Sequence, residues 1–466
     1  MSRHLTAPLS RRDIVRAGSV GLLGMSLPRL LEAQTHATVE DAIAANPKAK
    51  ACILLFMWGG PSQLETWDLK PNAPAEVRGE FKPISTRVPG INIGEYFPML
   101  AQRTDKLAII RSMTHPNVDH LTACHYVLTG QPPPQTSDIR KDWPHFGAVL
   151  SKLGRGTSPL PPFVSMRPKI ENTVPRFVEQ SRGQFAGWLG PTWDPLTIDA
   201  DPAKPDYRVG DFVLQDGVTR RRMDERQSLL GRLESQLSRF ERGGRLGSMD
   251  RHYSRAFDLL ASAVGRSAFD LTQEPDEMRD RYGRNPHGQS VLQARRLVER
   301  GVPLVTVYWP NEGIKNVSVY WDTHRRNFVD HRERLMPLAD QAFSTLLDDL
   351  SDRGMLDDTL VIWSGEFGRT PKVGQRNSNA GAGADGRDHW PNVFSAVLAG
   401  GGVRGGQVYG SSDRYAAYPA SDAVSPVDFA ATVYELLGVP GGLELRDNLN
   451  RPLVVCPGQP IRQLIS

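Results

Sequence analysis

Cysteine is scarce in this 466-residue chain: Cys52, Cys124 and Cys456 are the whole complement. So small and odd a number excludes a disulfide framework, and no Cys-x-x-Cys pair is present to hold a structural zinc. Cys52 sits in an apolar run and reads as core. Long apolar runs are missing too. A bilayer-spanning helix needs roughly 20 apolar residues, and no transmembrane anchor is expected beyond what the N-terminus supplies. Neither sign of charge dominates, with 56 Lys and Arg against 52 Asp and Glu. A nucleic-acid surface needs clustered cations, so no nucleic-acid partner is expected. What remains is a chain long enough for one large α/β domain with insertions.

The N-terminus points to a compartment. Ser10-Arg11-Arg12-Asp13-Ile14-Val15-Arg16 precedes a modest apolar segment, 17–31, in which Arg29 is the one charge. Twin arginines in that setting mark a bacterial export signal that carries folded cargo. Residues 1–36 are therefore read as signal and leader, and the mature protein as periplasmic or secreted, beginning near Ala33 to Ala37. Leu31-Glu32-Ala33 is a poor cleavage site, which leaves an uncleaved or lipid-anchored form as the alternative.

Along the rest of the chain, apolar strands alternate with helical periodicity. Strands are expected at 51–58, 106–111, 162–166, 303–309, 359–364 and 393–399, and helices at 99–103, 120–128, 289–300, 328–353 and 428–437. Residues 167–216, rich in Pro, Gly and Trp, read as an irregular insertion, and 217–288 as a helical one. In the latter, Leu229, Leu230, Leu233, Leu237 and Phe240 recur at helical spacing. The alternation predicts a single α/β domain over 37–466, with a doubly wound, mostly parallel central sheet and helices on both faces.

The chemistry gathers in three polar clusters, each lying just past an apolar run. They are Trp321-Asp322-Thr323-His324, Ser364-Gly365-Glu366-Phe367-Gly368-Arg369 and Gly386-Arg387-Asp388-His389-Trp390. Strand ends bearing carboxylates and imidazoles are where α/β proteins build metal sites, and such N and O donors suit zinc, manganese or iron. Asp322, His324, Glu366 and His389 are the expected ligands of a divalent ion, zinc or manganese. Arg369 is expected to hold an anionic oxygen bidentately, or else to pair with Glu366. The Gly-, Asn- and Ala-rich stretch 377–386 reads as a lid that delivers Asp388 and His389. Secondary candidates are Glu65 and Asp68 after the first strand, together with His115 and His125 from a local excess of histidine that also includes His120 and His145. The plain readings are a helix cap for Asp322, a surface position for His324, loop caps for Glu65 and Asp68, and core packing for some of the histidines.

A family resemblance rests on Gly59-Gly60-Pro61-Ser62 with Trp67-Asp68, the 120–130 helix, 289–299, Trp321 to His324, Gly365 to Pro371, Gly386 to Trp390 and Ala399-Gly400-Gly401-Gly402. These stretches resemble a family of exported bacterial proteins catalogued as a domain of unknown function, 1501, itself similar to the alkaline phosphatase and sulfatase superfamily. The resemblance implies a mostly parallel sheet with metals at the strand ends. It also implies a nucleophile nine positions before Thr129, where superfamily members carry Ser, Thr or a modified Cys; here that position is His120. Other departures are Trp58-Gly59-Gly60 in place of an early Asp, Asp322-Thr323-His324 in place of a wider Asp/His spacing, and Glu366-Phe367 in place of Asp-His. Gln63 and Glu65 stand where many family members hold His and Asp, and the late His is kept as His389.

The leading expectation is a metal-dependent hydrolase of a small phosphate or sulfate ester, such as a phosphorylated or sulfated saccharide. His120 is then nucleophile, general acid or ligand, and Arg369 steadies the anion. The alternative is a non-catalytic protein on the same fold that binds an anion or sugar.

Overall fold

Ala51–Phe56 (β1) is buried along its length and pairs in parallel with a strand on each side. A strand covered on both faces has no polar side to alternate with, so its residues are apolar throughout. The computed structural model describes residues 47–156, 158–167, 180–209, 263–312, 314 and 316–466. The export signal and the repeat from Leu229 to Phe240 lie outside the described residues.

Seven more strands complete the sheet: Leu107–Met113 (β2), Phe163–Met166 (β3), Leu196–Ile198 (β4), Leu304–Tyr308 (β5), Thr359–Ser364 (β6), Phe394–Ala399 (β7) and Gln407–Tyr409 (β8). Their order is β8-β2-β7-β6-β1-β5-β3-β4. β7 runs antiparallel to both neighbours, and the other pairings are parallel. The α/β fold with a mostly parallel central sheet is thus present. Two strands escaped the sequence reading. β4 lies inside the stretch expected to be irregular, and β8 follows a glycine-rich turn. Each has three residues, too few for a period to register, and each is set by its pairing, Val164↔Leu196 and Ile109↔Val408.

The helix expected over 328–353 is one periodic run in sequence but three pieces in space. Asn327–Asp330 leads into a π turn at His331–Leu335 and then into Met336–Asp352. Pro337 has no N–H to donate back one turn, and the ladder widens just ahead of it. The helix after β2 is His120–Thr129 (α1), and its own sequence closes both ends. Asp119 accepts from Thr122 N–H at 3.0 Å, and Gly130 stops the helix in the left-handed region at φ 70°.

A layer of indoles carries the loop after β5. Trp67, Trp309, Trp321 and Trp363 are all buried, with edge-to-face contacts of 5.2 Å (Trp309–Trp321), 5.8 Å (Trp321–Trp363) and 5.4 Å (Trp67–Trp363). Such pairs contribute about 1 kcal/mol each beyond area burial. Trp321 N–H also donates to Trp58 O at 2.8 Å. Asp322, the next residue, therefore leaves a fixed backbone.

Candidate metal centre

One rim of the sheet collects the polar clusters, and strand direction explains how. β1, β5 and β6 run the same way, so Gly59, Asp322 and Glu366 emerge at their C-terminal ends. β2 shares that direction, so His115 and α1 start at the same rim. β7 runs the other way, which brings the residues before it to this rim, with His389 opposite Arg369 in a short antiparallel ribbon.

Three imidazoles converge on one carboxylate oxygen. Asp322 Oδ1 lies 2.9 Å from His324 Nε2, 3.3 Å from His389 Nε2 and 3.6 Å from His120 Nε2. The Nε2 atoms of His324 and His389 are themselves 2.9 Å apart. Each ring places its other nitrogen on an acceptor: His120 Nδ1 on Glu366 Oε1, His324 Nδ1 on Gly381 O and His389 Nδ1 on Val118 O at 2.8 Å. A carbonyl oxygen only accepts, so in His324 and His389 the hydrogen sits on Nδ1 and a lone pair on Nε2. Two lone pairs at that separation, beside a carboxylate, repel unless a cation or proton lies between them. Three imidazole nitrogens and one carboxylate, each ring oriented by an outer acceptor, fit a divalent ion of the zinc type.

The charges within the cluster favour the same conclusion. Burial works to raise the Asp322 carboxyl, but Arg369 and then His120 hold it well below the usual range. Burial works to lower His120, but the Asp322 and Glu366 carboxylates outweigh it and lift the imidazole to about 9. His389 is lowered, by burial first. The two carboxylates thus favour positive charge at His120, while burial opposes it at His389.

The expected ligands thus divide into two groups. His120, Asp322 and His389 place donor atoms within 4.8 Å of one another, as do His324, Asp388 and His389. Glu366 belongs to neither group. It is fully buried behind His120, and the oxygen it turns to the ring also accepts Gly59 N–H at 2.9 Å. Asp388 accepts from Asn377 N–H, Ser378 N–H and Ser378 Oγ at 2.6–2.7 Å, and from His389 N–H at 2.8 Å. Burial opposes ionisation of Asp388, but these bonds bring it to about 2.

The anion-holding role expected of Arg369 is corrected by its surroundings. Its side chain is fully buried and donates to Gly60 O (2.9 Å), Arg387 O (3.2 Å), Trp321 O (3.2 Å), Gly59 O and Asp322 Oδ1. It ties three loops to Asp322 and presents nothing to a ligand. The other candidates are also held by local partners. Glu65 pairs with Arg387 at 2.8 Å with both side chains buried. Asp68 bonds Lys70 at 2.9 Å and Ser412 Oγ. His115 Nε2 meets Glu366 O at 2.6 Å, and burial lowers its pKa to about 4. His125 bridges Gln131 O (3.0 Å) and Trp143 N–H (3.1 Å), lowered to about 3 by burial and then Arg182. His145 caps Gly147 N–H at 3.0 Å.

Sequence reasoning missed the backbone of the site. Gly59, at φ 103°, approaches so closely that a Cβ there would lie 2.3 Å from Asp322 N. The glycine-rich stretch read as a lid is packed on His324: Gly383 N–H donates to His324 O at 2.7 Å, and a Cβ on Gly386 would meet that same oxygen. The signal was the glycines themselves, which mark close approach as well as flexibility.

Residues 49–465 match the family described as "Protein of unknown function (DUF1501)". The chain belongs to that family. No protein of curated function matches it significantly. Among solved structures, a protein in the alkaline phosphatase superfamily from Vibrio parahaemolyticus aligns at 11% identity over 92% of this chain and 75% of its own, TM-score 0.41. A lipoteichoic acid synthase from Listeria monocytogenes aligns at 9% identity over 91% and 79%, TM-score 0.38. A sulfatase from Pseudoalteromonas sp. aligns at 12% identity over 91% and 72%, TM-score 0.35.

Proposed function

We propose that this family member is an exported, divalent-metal-dependent hydrolase of phosphate or sulfate esters, with water in place of a side-chain nucleophile. The observation that carries the reading is the convergence of His120, His324 and His389 Nε2 on Asp322 Oδ1, each ring backed by an acceptor at Nδ1. A zinc or manganese ion would be held by His120, Asp322 and His389, with His324 and Asp388 beside them, and would supply polarisation of an ester oxygen and a water acidified to a pKa of about 7.

The chain's own residues account for the rest. His120 occupies the position where the superfamily resemblance implies a hydroxyl or thiol, so no covalent oxygen or sulfur intermediate is available there. Glu366 takes the Nδ1 hydrogen of His120 and keeps that ring aimed at Asp322. Arg369 fixes Asp322 and the Gly59–Gly60 turn as one body. The donors are partly open to solvent, with side-chain exposures of 16% for Asp322 and His324, so a small anionic ester can reach them.

The test is elemental analysis of purified protein combined with turnover of aryl phosphate and aryl sulfate esters. Stoichiometric metal with turnover supports the reading, and protein that binds no metal overturns it. Metal without turnover on either ester favours binding alone, a second reading that the enclosure of Arg369 supports. Export is tested separately, since Arg11→Lys with Arg12→Lys should leave precursor in the cytoplasm. No helix among the described residues is long and apolar enough to cross a membrane.

A further inference from the structure

With Arg369 sealed inside, the positive charge that meets an anionic substrate has to come from elsewhere on the rim. Among the described residues, two arginines of the loops around His324 qualify. Arg325 follows His324 directly and Arg376 opens the glycine-rich stretch, and both are exposed. Among the described residues neither has a hydrogen-bond or carboxylate partner. The Asp388 carboxylate of the same stretch is engaged elsewhere, by Asn377, Ser378 and its own neighbour.

Both side chains lie on the loop that orients His324. A Cβ built on Gly381 falls 2.7 Å from Arg376 Nε and 2.9 Å from Arg376 Nη2, so the guanidinium rests against the Gly381 backbone. The carbonyl of that glycine accepts from His324 Nδ1. On Gly383, whose N–H donates to His324 O, a Cβ would lie 3.3 Å from Arg325 Cγ. The Arg376 guanidinium therefore rests on the loop that holds His324 Nδ1, and the Arg325 stem packs on the same loop two residues further on. An ester group bound at the cluster is served by His120, His324, His389 and Asp322, and a cation one loop away meets a different part of the ligand. Guanidinium matches the oxygens of phosphate and sulfate in its planar, bidentate geometry.

We infer that Arg325 and Arg376 form a second anion subsite beside the metal centre, selecting substrates that carry more than one phosphate or sulfate group. This deepens, and rests on, the ester-hydrolase reading of the centre. Unpaired exposed charge costs nothing in water and gains when an anion displaces solvent, whereas the buried arginines nearby, Arg369 and Arg387, are committed to backbone carbonyls and carboxylates.

The experiment compares the full chain with an Arg325→Ala/Arg376→Ala double variant and a control, Arg404→Ala/Arg446→Ala, which removes two exposed arginines elsewhere. Calorimetric titrations at low salt use inositol hexakisphosphate, sucrose octasulfate and inorganic phosphate, with metal content measured on the same samples. The Arg325/Arg376 variant should lose about tenfold or more in affinity for one or both polyanions. The control should change by less than about twofold, and inorganic phosphate binding and metal content should hold. The polyanion that suffers the larger loss identifies which ester class the subsite takes. Equal losses in the two double variants, unchanged affinity, or no polyanion binding by the parent overturns the subsite. A protein that holds no metal yet shows the selective loss keeps the subsite and sinks the metal centre instead.

Discussion

His324 Nε2 and His389 Nε2 face each other at 2.9 Å while both Nδ1 atoms are taken up by backbone carbonyl oxygens, those of Gly381 and Val118. Neither ring can turn its hydrogen inward without giving up its bond to that carbonyl, a loss of about 0.5–1.5 kcal/mol. A shared cation removes the conflict. His389→Ala deletes a donor common to both donor groups. It should lower bound metal from stoichiometric to near zero after dialysis, while far-ultraviolet circular dichroism stays unchanged. His324→Ala should do the same. Retention of full metal by both variants would falsify the ligand set.

Glu366 tests the layer behind the ligands. It is bonded to His120 Nδ1 and to Gly59 N–H, so its charge raises the basicity of His120 without touching the centre. Replacing outer-shell partners of metal-bound histidines typically weakens metal by about 10–100-fold. Glu366→Gln keeps the shape and one acceptor and should fall within that range, measured by competition with a chromogenic chelator. A loss as complete as that of His389→Ala would mean that Glu366 is itself a ligand.

How much of this was legible beforehand depends on what each feature leaves in the sequence. β1, β5, β6 and β7 are apolar runs of five or six residues, and a buried strand writes itself as such a run. β4 and β8 are three residues long and depend on a neighbour for their conformation, so they leave no local trace. In the candidate site, Asp322, His324 and His389 stand out in the sequence as a carboxylate and imidazoles clustered past apolar runs, and the fold brings them together. Arg369 was visible as a charge, but its direction was not: whether a guanidinium faces ligand or carbonyl depends on the loops folded around it. The Glu65–Arg387 pair joins residues more than 300 positions apart, and no local pattern encodes such a partnership.

Gly59 offers a sharper test of the backbone than any charged residue. Its φ of 103° is strained for any side chain, and a Cβ would press on Asp322 N at 2.3 Å, Trp321 C at 2.6 Å and Trp321 N at 2.8 Å. These are backbone atoms with nowhere to move, since Trp321 is wedged among indoles. Gly59→Ala should therefore destabilise the fold by roughly 2 kcal/mol or more and displace Asp322, lowering metal content in whatever protein folds. Thermal unfolding with metal analysis checks both. Parent-like stability and full metal would show that the turn is looser than its geometry.

Acid should destabilise the protein from about pH 6 downward. His125, His145, His287 and His331 are buried, and burial lowers them to about 3, 3, 3 and 4 respectively, with Arg182 adding to the effect at His125. Their folded pKa values lie below the unfolded value of about 6.5, so the unfolded chain takes up protons that the native one refuses. The stabilisation is fully present above pH 6.5 and declines as pH falls toward 4, by about 1.4 kcal/mol per pH unit for each histidine. Asp340 acts in the opposite sense. Burial raises it to about 6, so its contribution is present below about 4 and lost as pH rises through 6. Together with His115, these histidines outweigh the raised Asp340, Asp142, Glu312 and Asp385 carboxyls, so stability should fall as pH drops below 6, and urea midpoints should be lower at pH 5 than at pH 7.5. His287 is the cleanest probe, since its ring packs tilted against Trp309 at 4.2 Å and neither nitrogen has a protein hydrogen-bond partner. His287→Leu should reduce the slope by about one proton's worth, 1.4 kcal/mol per pH unit. An unaltered slope in that variant would place the acid sensitivity elsewhere.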